Sequence, residues 1–171
     1  EEIYRLGANP SRPDPRDYKF AQLLTYNAAS VAEDVKAIDR KFYTMVDKDF
    51  RINQGGEGTC VGHAITNVLL AGPSEHDTYP EFQTEEKAHQ FPRALYLEAS
   101  GDTTYQQGMW PRDACQTLLN RGQVSSYWKV EQVDDIIACL LGYGPVSITV
   151  PWYYSMYYGN STLAKQYGNY W

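Results

Sequence analysis

Between Asn53 and Ala64 the chain runs Asn-Gln-Gly-Gly-Glu-Gly-Thr-Cys-Val-Gly-His-Ala, and this stretch constrains the fold more than any other. Gly55, Gly56 and Gly58 crowd into four positions, a composition that resists regular structure and lets backbone approach other atoms closely. Immediately afterwards, Val61, Ala64, Ile65, Val68 and Leu69 follow helical periodicity from Cys60 through Leu70. A glycine loop therefore feeds a buried helix, with Cys60 in its first turn. Helix N-termini concentrate N–H groups and the positive end of the dipole, and both favour a thiolate over a thiol. Cys60 is thus the candidate nucleophile. Six residues earlier, Gln54 offers an amide that the loop can fold back beside it; with the Cys60 backbone N–H it would form a cradle for an oxyanion.

The remaining composition excludes several alternatives. The 171 residues suffice for one core divided over two lobes. A net charge of −6 without a Lys/Arg cluster argues against a nucleic-acid partner. No apolar run reaches the roughly 20 residues of a membrane span. Three widely spaced cysteines suit neither a disulfide framework nor a zinc site, so no metal and no cofactor are expected. Glu1 is not an initiator methionine, so the chain is read as processed or excised. The expectation for location is a soluble protein, with secretion or residence in a viral particle both compatible.

In chain order, Pro10, Pro13 and Pro15 make the N-terminal segment an extended arm. Residues 27–41 have weak helical character, and 42–50 alternate as a short extended segment. The central helix stops at Gly72-Pro73. Residues 74–90 read as an acidic surface excursion that holds His76 and His89. Pro92 suits the first position of a helix through Ser100 capped by Gly101, whose Phe91, Leu95 and Ala99 face the Cys60 helix. A polar loop from Asp102 to Gly108 precedes a helix from Pro111 to Arg121, capped by Gly122. A short helix over Ile136–Leu141 follows Asp134-Asp135. Val146, Ile148 and Val150 then alternate as a strand.

Gln, a glycine-rich loop and a Cys opening a long helix together resemble the papain-like cysteine peptidase family. The Gln54-to-Cys60 spacing, Gly58 before Thr59, and Ala64 carry the likeness, and the Cys-Val-Gly-His-Ala run is closer to the family's microbial and viral branch. One departure is Glu57, which stands where many members have a disulfide cysteine. The resemblance implies an α+β fold, with a helical left lobe and a partial β-barrel right lobe. Residues 1–50 would form the arm and lead-in, 51–141 the helical lobe and 142–171 the start of the barrel lobe.

It also implies a peptide or protein substrate. Gly58 and Thr59 would border it, Gly108 would pair with its backbone, and Met109, Trp110 and Thr149 would line a pocket for an apolar or aromatic side chain. The implied activity is hydrolysis of a peptide bond by Cys60 with Gln54 at the oxyanion. The family's catalytic His and its orienting Asn come after the Gly144-Pro145-Val146 strand, and neither is matched here. His63 is three residues from Cys60, but the corresponding family position is packed inside the lobe. The missing groups are expected from a C-terminal continuation or a second chain that completes the barrel lobe. The alternative is a noncatalytic relative that binds an extended peptide, as a structural component of a larger assembly. Peptide stems of a bacterial cell wall are an alternative substrate.

Overall fold

The computed structural model describes residues 13–15, 17–19, 50, 52–71 and 80–150. Four helices make up its regular structure: α1 (Cys60–Leu70), α2 (Glu85–Ser100), α3 (Pro111–Asn120) and α4 (Val133–Gly142), with a 3-10 turn at Pro80–Phe82 before α2. Pairing between extended segments is limited to isolated bridges such as that of Lys19 with Lys129. Among the described residues there is no strand, sheet or barrel, which overturns the expected α+β fold with its partial β-barrel lobe. The reason is visible at Val146, Ile148 and Val150. Their alternation in sequence is real, but a strand exists through its ladder of hydrogen bonds to a neighbour. Residues 144–150 have no ladder, and Ile148 and Val150 are 61% and 51% exposed.

The core is helical. Val61, Ile65, Leu69 and Leu70 of α1 meet Ala88, Phe91, Leu95 and Tyr96 of α2, with Phe82, Met109, Ala114 and Leu118 closing around them. Phe82 packs edge-on against Phe91 with ring centroids 5.0 Å apart. The closest approach of α1 and α2 is at Gly62: a Cβ there would lie 2.5 Å from the Pro92 carbonyl oxygen. Hence only glycine fits.

Pro92 itself corrects the expected start of α2. It is an interior residue, because the helix begins two turns earlier, where the Thr84 side chain accepts a hydrogen bond from Lys87 N–H at 3.3 Å. Glu85 and Glu86 fill the first turn, where the dipole favours carboxylates. The helix absorbs Pro92 at the expense of the N–H that would have reached Ala88. At its other end Gly101 caps in the left-handed conformation, φ 70°, as its position after Ser100 implies. In the expected surface excursion over 74–90, residues 85–90 are helical and Phe82 is fully buried, while the Gly72-Pro73 stop and residues 74–79 with His76 lie outside the described residues. The segments at 27–41 and 42–49 lie outside the described residues.

α3 starts at Pro111 and is followed by Gly122 at φ 69°, as expected. It also anchors the arm: Arg112 holds both oxygens of Asp17 at 2.6 Å, and Lys129 N–H donates to Tyr18 O at 2.8 Å. The Tyr18 ring lies 5.4 Å from that of Trp128. α4 stands apart, with Val130, Ile137, Cys139 and Leu141 around Ala138.

Candidate functional site

Cys60 is the first residue of α1, and its residue is half-buried. The helical ladder begins with His63 N–H donating to Thr59 O at 3.1 Å, so the Cys60 amide precedes it. Upstream, the loop closes on itself twice. Gly55 N–H donates to Asn53 Oδ1 at 3.0 Å, and Glu57 N–H donates to Gln54 O at 3.3 Å. The Gln54 amide nitrogen in turn donates to Glu57 O at 3.0 Å. The amide expected at the oxyanion therefore belongs to the same turn that delivers Cys60, with its nitrogen on the Glu57 carbonyl.

His63 is buried at 6% exposure. Its Nδ1 lies 3.0 Å from Thr59 O and 3.2 Å from Thr59 Oγ1. A carbonyl only accepts, so Nδ1 carries the proton and donates to it. Burial pushes the His63 pKa below its ordinary value, opposed by the Thr59 and Asn53 carbonyls and by the charge of Glu57. A neutral imidazole thus ties the loop to the helix. Thr59 is fully buried beneath it.

The second half of the site is the loop 101–110. Asp102, 7% exposed, is its centre. One carboxylate oxygen accepts from the Tyr96 hydroxyl at 2.7 Å and from the N–H groups of Gln106 and Gln107 at 2.8 and 2.9 Å. The other accepts from Thr104 N–H at 2.9 Å and from the Thr104 hydroxyl. The Gln107 amide, the Thr104 hydroxyl and these other donors hold the Asp102 carboxyl well below the usual carboxylate range. Winding around this anion puts Tyr105 at φ 57°, a left-handed conformation that costs a residue with a side chain roughly 1–2 kcal/mol.

The two loops meet at Gly58. Its N–H donates to Tyr105 O at 2.7 Å, and a Cβ on Gly58 would lie 3.2–3.3 Å from the backbone oxygens of Gln106 and Tyr105. Arg93 of α2 reinforces the junction, with its guanidinium 4.7 Å from the centre of the Tyr105 ring and 3.1 Å from Glu57 Oε1. Glu57 thus forms an ion pair with α2 from within the loop.

The other expected substrate residues divide. Gly108 is buried, and its carbonyl accepts from the Tyr96 hydroxyl at 3.4 Å. Met109 is a core residue at 2% exposure, so it does not line an open face. Trp110 is 41% exposed, and Thr149 is exposed on the extended segment 144–150. Gln54, Gly58, Thr59 and Cys60 are brought together on one loop, with Gly108 on the loop packed against it. Arg93, Asp102 and Tyr105 escaped the sequence reading. The one available signal was Gly101-Asp102-Thr103-Thr104, an Asp that follows a helix-capping glycine and can fold later N–H groups onto its side chain.

An open depression of about 770 Å³ lies elsewhere, lined by Glu81, Phe91, Arg121 and Gln123 among others. No group of three or more metal-ligating side chains is gathered among the described residues, and none of their helices is long and apolar enough to cross a membrane. Comparison with protein-family models, curated proteins and solved structures finds no match to this chain.

Proposed function

We propose that the chain hydrolyses peptide bonds through the thiol of Cys60. The observation that carries this reading is Cys60 at the N-terminus of α1, delivered by a loop whose own turn holds the Gln54 amide. The thiolate sulfur attacks the carbonyl carbon and the π electrons move onto the oxygen, which the Gln54 amide and the Cys60 N–H receive. Collapse expels the amine, which takes up a proton, and water then hydrolyses the thioester to free acid and thiol. We assign the group that accepts the thiol proton and returns it to the amine to a C-terminal continuation or a second chain, since His63 is buried at 6% exposure away from a substrate and His89 is paired with Glu85 on α2. Trp110 offers an aromatic wall to an apolar side chain of the substrate.

The burial of His63, at 6% exposure, favours a second reading, in which the same surface holds an extended peptide without cutting it. Brief exposure to an epoxysuccinyl peptide followed by mass spectrometry separates the two. Alkylation of Cys60 ahead of Cys115 and Cys139 is the expected outcome. Burial raises the Cys115 thiol to about 11 and raises Cys139 as well, which makes both poor competitors near neutral pH. A Cys60 that is no faster than these two would remove the nucleophile assignment.

A further inference from the structure

Resting on the reading of Cys60 as nucleophile, we infer that Asp102 is a positioning residue for the site: it fixes the Tyr105 carbonyl that holds Gly58, and through that loop sets the Cys60 thiol and the Gln54 amide. Asp102 does not act on substrate. Its carboxylate accepts five hydrogen bonds from donors of its own neighbourhood, which leaves it neither a proton to give nor a disposition to take one. A cation is excluded by the same geometry, since five donors already point their hydrogens at the two oxygens.

What the carboxylate achieves is conformational. Residues 103–107 wrap around it tightly enough to hold Tyr105 in a left-handed conformation that a side chain ordinarily avoids. In that conformation the Tyr105 carbonyl meets Gly58 N–H at 2.7 Å, two residues before the nucleophile. The same residue presents its ring to Tyr96 at 5.7 Å and to the guanidinium of Arg93 at 4.7 Å. Arg93 reaches on to the Glu57 carboxylate, and the Glu57 carbonyl orients the Gln54 amide. Two routes thus run from one buried anion to the site: a backbone route through Gly58 to Cys60, and a side-chain route through Arg93 and Glu57 to Gln54. Without the anion, the donors that wind residues 103–107 lose their acceptor, and the strain at Tyr105 is opposed only by its contacts with Gly58, Tyr96 and Arg93 and by its N–H on Asp102 O. The loop relaxes, and Gly58 loses its acceptor.

Two reagents separate positioning from plain stability. Iodoacetamide needs only a reachable thiolate, whereas an epoxysuccinyl peptide needs thiol and loop set together around a bound backbone. The readout is the ratio of the two second-order rate constants at Cys60, measured by mass spectrometry. In Asp102→Asn the epoxide rate should fall about tenfold or more, with iodoacetamide little changed, because sub-ångström misplacement of reacting groups is costly. Tyr96→Phe removes one of the five donors without changing the shape of a buried ring, and should lower the ratio by a smaller factor.

Circular dichroism establishes that each variant is folded. If Asp102→Asn does not fold, Tyr96→Phe decides alone. A wild-type ratio in the folded variants would overturn the role of Asp102 and leave the nucleophile reading standing. Wild-type protein that takes iodoacetamide but not the epoxide at Cys60 would overturn both.

Discussion

The two loops that build the site lead into helices of similar form but are stabilised in opposite ways. Loop 101–110 folds around a single carboxylate, whose five donors come from its own residues and the adjoining helix α2. Loop 52–59 would carry the chemistry on the proposed function, yet its internal support consists of short turns and the side-chain amides of Asn53 and Gln54. It is completed from outside, by the Tyr105 carbonyl, the Arg93 guanidinium and the His63 ring. The difference teaches where rigidity has to reside. If the glycine-rich loop admits a substrate backbone, as proposed, it cannot carry bulky supports of its own, and a polar neighbour carries them.

The largest test of this contrast is at Gln54. If the amide serves the oxyanion, Gln54→Ala should lower the rate of peptide hydrolysis by about 10²–10³, as loss of one oxyanion donor does elsewhere. The folded structure should survive, because the half-buried Gln54 contributes a turn rather than core packing. A kinetic assay on a fluorogenic peptide, beside thermal unfolding, reads both quantities. Unchanged kinetics would make Gln54 a turn residue and nothing more.

A smaller effect is expected where the loops touch. In Gly58→Ala the new methyl would press on the backbone oxygens of Gln106 and Tyr105 at 3.2–3.3 Å, and neither atom belongs to a side chain that could swing aside. The loops must separate by a few tenths of an ångström, with a stability cost of about 1 kcal/mol. Urea denaturation measures the cost, and the reactivity of Cys60 towards an epoxysuccinyl peptide should fall with it. If stability falls but reactivity does not, the junction is structural only.

How much of this was legible in the sequence differs between the same two loops. The start and end of α1 could be read because the glycines end abruptly and helical periodicity begins at once. Pro111 and Gly122 bracketed α3 in the same direct way. Gly101 and Pro111 marked the bounds of loop 101–110, but nothing marked what holds it. Asp102, Thr104 and Tyr105 look like ordinary polar loop residues until the backbone wraps, because the hydrogen bonds of Asp102 run to N–H groups that sequence does not display. Pro92 misled for a related reason: its preference for a first helical turn is real, but Thr84 and the two glutamates supply a stronger start upstream. The expected strand at 146–150 failed on the one property that alternation cannot encode, the presence of a neighbour.

The smallest expected effect separates the loops by pH. His63 is neutral in the folded protein and its pKa is held below the ordinary 6.5, chiefly by burial. As the pH falls below 6.5 the unfolded chain takes up a proton that the folded one resists, so the stability associated with His63 is present above 6.5 and is lost as the pH falls below it. Thr59 and Asn53 supply carbonyls and Glu57 a charge that soften this loss, while His89 adds to it. Asp102 has the same sign in a lower window. Its pKa is depressed from 3.8, so its contribution is complete above that value and declines only in stronger acid. Loop 52–59 should therefore loosen first. Hydrogen exchange at pH 7, 5 and 3 would show the amides around Gly58 and Thr59 losing protection by pH 5, and those of Gln106 and Gln107 only towards pH 3. His63→Gln should erase the first step and leave the second. Simultaneous loss in the wild-type protein would mean that the loops open as one unit, with the carboxylate and the imidazole as parts of a single clasp.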